Sequence, residues 1–321
     1  MTREKSYSPP NKKIQPGLKP KMKFTDKGTV SDKNKVDPSI EAILSLVSES
    51  NIRDWLQKIT SFHTRHSKSE FINEVATWLK NELAKMGLRD VRYHEYTESG
   101  YDLKNVVCNL NGESEKIILV CAHYDSRMEN LEDAISRAPG ADDNASGMAI
   151  VLEIANIISK FRFEKTIQLA SFSGEEQGLW GSKHYAKFIK DNNISLHRLI
   201  NLDMVGFHAD ENQVCIVERD IGNTHSTNDE HSELLAKNIE ENARAYTNVT
   251  TLPGPIYDSD YMPFEELGYV VVGGYDGGAE KNPHYHSSKD EIVDIDINFV
   301  SNATKIILAT LLQEAKMLDN V

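Results

Sequence analysis

Two acids stand side by side at Glu175 and Glu176, inside the stretch Ile167 to Ser182, IQLASFSGEEQGLWGS. Ahead of them Ile167, Leu169, Ala170 and Phe172 form an apolar run of strand length. Behind them come a glycine-punctuated turn and a helical pattern through Tyr185, Phe188 and Ile189. Adjacent carboxylates at the end of a buried strand repel each other and lose hydration, a cost that a bound metal offsets. One acid can then ligate while its neighbour moves a proton. The plain alternative is a pair of acids at a helix start, favoured there by the helix dipole.

The rest of the chain tips the balance. The run IILVCA ends in His123-Tyr124-Asp125, and LINL ends in Asp203. Asp142-Asp143-Asn144 precedes a strongly apolar segment, and His284-Tyr285-His286 follows the last apolar run with Asp290 four residues beyond. Metal-capable side chains that recur at strand ends converge on one edge of a sheet, which is where open α/β sheets bind ligands. Imidazoles with carboxylates and no thiolate suit a catalytic zinc, manganese or cobalt ion, and the surplus of carboxylates suggests two ions sharing one. A ligating imidazole usually gives its other N–H to a carboxylate; Asp125 is placed to orient His123, and Asp290 to orient His286. His284 is expected at the rim of the site. His208, His225 and His231 lie in polar segments that could rim it too, and His184 and His197 are expected on solvated faces.

The elements that position these groups follow from periodicity. Helical patterns run from Ser39 through Ile59, and from a cap at Ser67 or Ser69 through Phe71, Val75, Leu79 and Leu83 to Gly87. Strands are expected at 91–96, 105–110, 116–122, 167–172, 198–203, 213–217 and 269–272, and helices at 147–158, 178–190, 232–246 and 299–317. IILVCA is continuous and apolar, as in a central strand covered on both faces. Gly273-Gly274 and Gly277-Gly278 suggest a flexible loop leading to His286, and the loop Ser126 to Ala141, longer and more charged than the chemistry needs, suggests a part in shaping access. Alternation of strands with helices indicates a largely parallel or mixed sheet with helices on both faces, in one domain from 38 to 321. Residues 1–37, rich in Lys and carrying Pro9, Pro10, Pro16 and Pro20, are expected to be a disordered basic tail.

Bulk properties exclude several classes. The 321 residues carry a net charge of −13, which disfavours nonspecific nucleic-acid binding. No apolar run reaches membrane-spanning length, and no secretory leader is visible, so neither a membrane partner nor secretion is expected. Three cysteines, Cys108, Cys121 and Cys215, with no C-x-x-C pair, point to a reducing, cytoplasmic setting.

AHYDS, GADDNASG, SGEEQGLWGS, NLDMVG and YHSSKD occur in that order. As an ordered set they resemble the co-catalytic zinc aminopeptidases, whose relatives include glutamate carboxypeptidases and glutaminyl cyclases, over roughly residues 70–321. The resemblance implies a three-layer α/β/α sandwich around a mixed, mostly parallel sheet. It also implies two zinc ions per chain, held by His123, Asp143, Glu176, Asp203 and His286, with Asp143 bridging. Glu175 would be the general base and Tyr285 a hydrogen-bond donor to the oxyanion. The implied reaction is removal of N-terminal residues from peptides. The alternative is glutaminyl cyclisation, suggested by CAHYDS. Ser259-Asp260-Tyr261 departs from the family's Ser-Asp-His, which leaves the substrate pocket open. A rival from another class, an EF-hand loop from Asp142 to Glu153, meets Pro139 and Gly140 where its first helix should stand.

Overall fold

The computed structural model describes residues 36–207, 213–277 and 282–318. The basic tail expected over 1–37 lies outside them, apart from Val36 and Asp37, and so does His208. The elements run α1 Pro38–Leu44, α2 Glu49–Thr60, α3 Ile72–Lys85, β1 Asp90–Glu98, β2 Tyr101–Leu110, β3 Ser114–His123, α4 Gly147–Ile158, β4 Arg162–Phe163, β5 Lys165–Phe172 and α5 Trp180–Asp191. They continue with β6 Leu196–Leu202, β7 Val214–Arg219, α6 Asp229–Tyr246, β8 Thr250–Pro255, α7 Met262–Glu265, β9 Val271–Tyr275, α8 Ile297–Glu314 and β10 Met317–Leu318.

One mixed sheet holds the strands in the order β1-β2-β5-β3-β6-β9-β7-β8, with β10 and β4 paired apart from it. The pairs β5/β3, β3/β6, β6/β9 and β7/β8 are parallel; β1/β2, β2/β5 and β7/β9 are antiparallel. The parallel centre β5-β3-β6-β9 therefore delivers four strand ends to one edge.

Alternation along β3 shows how the layers form. Ile118, Val120 and Ala122 pack into a cluster with α1, α2, α3, α4, α6 and α8, whereas Ile117, Leu119 and Cys121 pack on the other face beneath α5 and α7. With period 2, a continuous apolar run is what both faces require. Each such side chain, fully buried, contributes about 1.5–3 kcal/mol. That sum pins the strand and with it the position of His123.

Local chemistry explains most boundaries. Asp37 caps α1 by accepting the Ser39 N–H at 2.8 Å, and Ser48 caps α2 by accepting the Asn51 N–H at 3.3 Å. These caps divide the single helical pattern seen from Ser39 onward into two helices. The expected caps of α3 are displaced: the helix starts after Phe71 with no side-chain cap, and Ser67 instead donates to Asp125 Oδ2 at 3.1 Å. Glu153, the twelfth position of the EF-hand alternative, accepts from Ser48 N at 2.9 Å and from Asn51 Nδ2, so it braces α4 against α2. Gly273 and Gly274, expected in a flexible loop, lie inside β9, paired to Asn201 and Leu202 on one side and to Glu218 and Val217 on the other.

Candidate metal centre

β3 ends at His123, and two residues on Asp125 anchors the neighbouring strand's turn. Its Oδ1 accepts the Glu175 N–H at 3.3 Å, and its Oδ2 accepts the Glu176 N–H at 3.2 Å. Oδ1 also lies 3.5 Å from His123 Nδ1, at the limit of hydrogen-bonding distance. The turn leaves β5 through Gly174 at φ +74°, where a Cβ would come within 2.8 Å of Trp180 Cβ. Only glycine adopts that left-handed bend without strain.

The segment 141–146 brings in Asp143. Asn144 donates to Leu202 O at 2.8 Å and accepts the Gly147 N–H at 3.0 Å, tying the start of α4 to the end of β6. Asp142 accepts the N–H groups of Gly206 and Phe207 at 3.0 Å each. Asp290 does not orient His286, contrary to the sequence expectation. Its two oxygens accept the N–H groups of Asp142 at 3.0 Å and Asp143 at 3.1 Å, so it holds the Asp143 backbone instead. Asp203 follows β6 and accepts the Ser259 hydroxyl at 2.6 Å. Met204 and His286 both sit at positive φ, +54° and +51°. For non-glycine residues that conformation costs on the order of 1–3 kcal/mol and is retained where the surroundings impose it.

The expected ligand residues meet in two groups that share Asp143. His123 Nε2 is 3.2 Å from Asp143 Oδ1 and 3.3 Å from Asp203 Oδ1. His286 Nε2 is 3.0 Å from Asp143 Oδ2 and 3.1 Å from Glu176 Oε2. One ligand atom from each member of His123-Asp143-Asp203, and likewise of Asp143-Glu176-His286, lies within 4.8 Å of the others. Tetrahedral zinc with bonds of about 2.0–2.2 Å separates its ligand atoms by about 3.3–3.6 Å, close to these spacings. Among the described residues buried Glu176 Oε1 has no hydrogen-bond partner. Two imidazoles and three carboxylates crowded into a dry site are what a bound cation would hold together, so the residues present fit zinc.

Charge tells the same story. Burial opposes a charged His123, yet Asp203, Asp125 and Asp143 outweigh it and lift the imidazole well above its ordinary pKa. His286 rises to about 9, with burial opposed by Asp143 and Glu176. Asp143 is held far below the carboxylate range: burial pushes it up, but both imidazoles pull it down more strongly. Glu175 goes the other way, raised well above its usual value by burial first, with Asp203 and Glu176 adding to it against His123. Burial raises the neighbouring Glu176 too, with Asp143 adding to it against His286, so the two glutamates differ in their partners rather than in the direction of their shift. Glu175 opens on the cavity outside both ligand groups, and Tyr285 stacks its ring on His286 at 3.5 Å between centroids. Burial raises the Tyr285 phenol, which keeps its proton available for donation.

Several contributors have no signal in the sequence. Arg65 is fully buried and donates to the carbonyls of Tyr124 at 2.7 Å, Gly140 at 2.9 Å and Pro139, facing Asp290 and Asp125. Arg127 Nε donates to Glu176 Oε2 at 2.7 Å. Its position directly after the HYDS run was the one clue available. The loop 126–141 that carries it supplies none of the described lining residues of the cavity; it is strapped to 63–66 by Arg65, by the Thr64–Ala138 bridge and by Ala138 N donating to His63 O. Nor do His225, His231 or His284 line it; His284 Nδ1 lies 2.8 Å from Asp294 instead. The cavity, 640 Å³, is lined by Glu175, Tyr285, Met204, Ile216 and Tyr261 among others.

A family model described as "Peptidase family M28" matches residues 105–311. A probable zinc metalloprotease of Pyrenophora teres f. teres is 33% identical over 190 residues, 53% of this chain and 39% of that protein. The chain spans less than half the length of the first curated relatives it matches. A probable leucine aminopeptidase of Trichophyton verrucosum is 27% identical over 289 residues, 84% of this chain and 74% of that protein. Among solved structures, the LapA aminopeptidase of Legionella pneumophila superposes with TM-score 0.74 at 23% identity, covering 91% of this chain and 79% of that one. The glutaminyl cyclase of Porphyromonas gingivalis gives 0.70 at 21% identity, covering 84% and 99%. These two likenesses establish a shared fold.

Proposed function

The chain belongs to peptidase family M28, and from that premise we propose that it is a zinc-dependent exopeptidase that removes N-terminal residues from peptides. The observation that carries the proposal is the pair of ligand groups sharing Asp143, with Glu175 beside them and outside both.

His123, Asp143 and Asp203 would hold one ion, and Asp143, Glu176 and His286 the other. Two zinc ions, when bound, supply Lewis acidity and bring the pKa of water toward neutrality. Glu175, which burial disposes to hold a proton, accepts one from the attacking water and passes it to the leaving amine. Tyr285 donates its phenolic hydrogen to the substrate carbonyl oxygen as charge develops there. Asp125 fixes the Glu175-Glu176 backbone, so the base and a ligand keep their separation. Asp258, exposed at the cavity and outside both ligand groups, leaves a carboxylate to meet a free α-ammonium group, which favours substrates with an unblocked N-terminus.

The test is Glu175→Gln, with bound zinc and turnover of aminoacyl amides measured together. The expected result is retained zinc with kcat lower by about 10²–10⁴. Unchanged turnover refutes the role of Glu175. Peptides with N-terminal glutamine belong in the same assay: ring closure with ammonia loss, in place of hydrolysis, moves the assignment to cyclisation.

A further inference from the structure

One acid in the lining of the cavity takes no part in the chemistry above and lies outside both ligand groups. Glu218, near the end of β7, is 8% exposed and lines the cavity. Among the described residues its one hydrogen-bond partner is the Tyr261 hydroxyl, which donates to Oε1 at 2.9 Å. Oε2 lies over Gly273, the register partner of Glu218 on β9. A Cβ at 273 would collide with that oxygen and come within 2.6 Å of Tyr261 Cε1. Glycine at 273 therefore makes the room that the carboxyl group occupies. The Tyr261 hydroxyl also accepts the Tyr257 N–H at 2.8 Å and lies 2.7 Å from Tyr257 O, so that carbonyl and Glu218 share its single hydrogen. This is the tyrosine that stands where the family motif has histidine.

The surroundings define what such an acid could meet. Ile216, Pro253, Pro255, Tyr257 and Tyr275 supply apolar wall, and Asp258 stands exposed at the same cavity. No Lys, Arg or His side chain is among the described residues lining it. A buried acid with no cation to face is costly. Burial, with Asp203 adding to it, lifts this carboxyl to about 8, and an arriving positive charge reverses that. Apolar wall with a buried acid set in it matches a long aliphatic stem that carries a charge at its tip.

We propose that Glu218 receives the side chain of the substrate's N-terminal residue, and that the enzyme favours lysine and arginine there over leucine. This rests on the exopeptidase reading, and it adds the substrate class. The experiment measures kcat/KM of the zinc-loaded full chain on Lys, Arg, Leu and Met aminoacyl-coumarin amides, for the wild type and Glu218→Gln. Met matches the lysine stem without its charge. The wild type is expected to favour Lys and Arg by about tenfold or more. In the variant the Lys/Leu ratio is expected to fall about 10- to 100-fold, the usual worth of a hydrogen bond between a buried acid and a charged partner. Brisk turnover with Leu or Met preferred overturns the Glu218 assignment and leaves the exopeptidase reading standing. A Lys/Leu ratio unchanged by the substitution, with all four rates falling together, assigns Glu218 to the α-amine or to packing and also overturns it. The wild-type ranking needs no variant, so it decides the matter even where Glu218→Gln does not fold. No turnover of any aminoacyl amide refutes both readings.

Discussion

Asp125→Asn isolates the residue on which the turn, the imidazole and the α3 approach all depend. The wild-type carboxylate accepts from Ser67 Oγ, Glu175 N and Glu176 N, and it faces His123 Nδ1. An amide has one accepting end. Whichever way it turns, one glutamate N–H loses its partner and meets an NH₂ group instead. The lost bond went to a charged acceptor in a buried place, worth about 1.5–3 kcal/mol. For a chain of this size that is a fall of roughly 3–10 °C in the melting temperature of the zinc-free protein. Loosening a partner of a ligating imidazole typically weakens metal affinity about 10- to 100-fold. Two measurements separate the effects: urea or thermal unfolding of the zinc-free protein, and zinc competition against a chromophoric chelator on the folded protein. A variant that melts lower but binds zinc like the wild type makes Asp125 a backbone anchor alone. A variant that matches the wild type in both refutes the reasoning.

Arg65→Met should lower stability by about 3–5 kcal/mol, read from urea midpoints, because it strips donors from buried carbonyls and the facing cation from Asp290 and Asp125. Gly181→Ala places a methyl on Asn105 Oδ1 and Ser173 O, against the turn that carries Glu175; the expected cost is about 1–3 kcal/mol, with turnover reduced as well. His94 is lowered from 6.5 to about 4, by burial first and then by His184 and Arg92. The unfolded chain therefore takes up its proton first, and stability is lost as pH falls from about 6.5 toward 4. His94→Phe should flatten that part of the profile, measured as urea midpoints of the zinc-free protein between pH 7.5 and 4.5.

The parallel centre of the sheet was legible because apolar runs of strand length ended in residues that dislike apolar surroundings. His123, Glu175, Glu176 and Asp203 declared themselves by that contrast. The supports were not legible, because each joins positions far apart in the chain: Asp290 reaches Asp142, and Ser67 reaches Asp125. Asp290 was assigned to His286 by proximity in sequence, and the fold gave it to a backbone that only the tertiary structure brings near. β8 escaped notice because Thr250–Pro255 holds two prolines and a glycine; it lies at the edge of the sheet, where missing N–H donors are tolerated. The glycines of β9 suggested mobility, whereas Gly273 is small because Glu218 and Tyr261 fill the space beside it.

β9 is among the last strands in the chain, yet it sits between β6 and β7, and His286 and Asp290 follow it. During synthesis this has a consequence. A nascent chain that has released everything through α6 still exposes a gap in its sheet and lacks the imidazole of the Asp143-Glu176-His286 group. The second ligand group therefore forms only once the segment beyond β9 has joined the fold, and a product that stops after α6 carries His123, Asp143, Glu176 and Asp203 without His286.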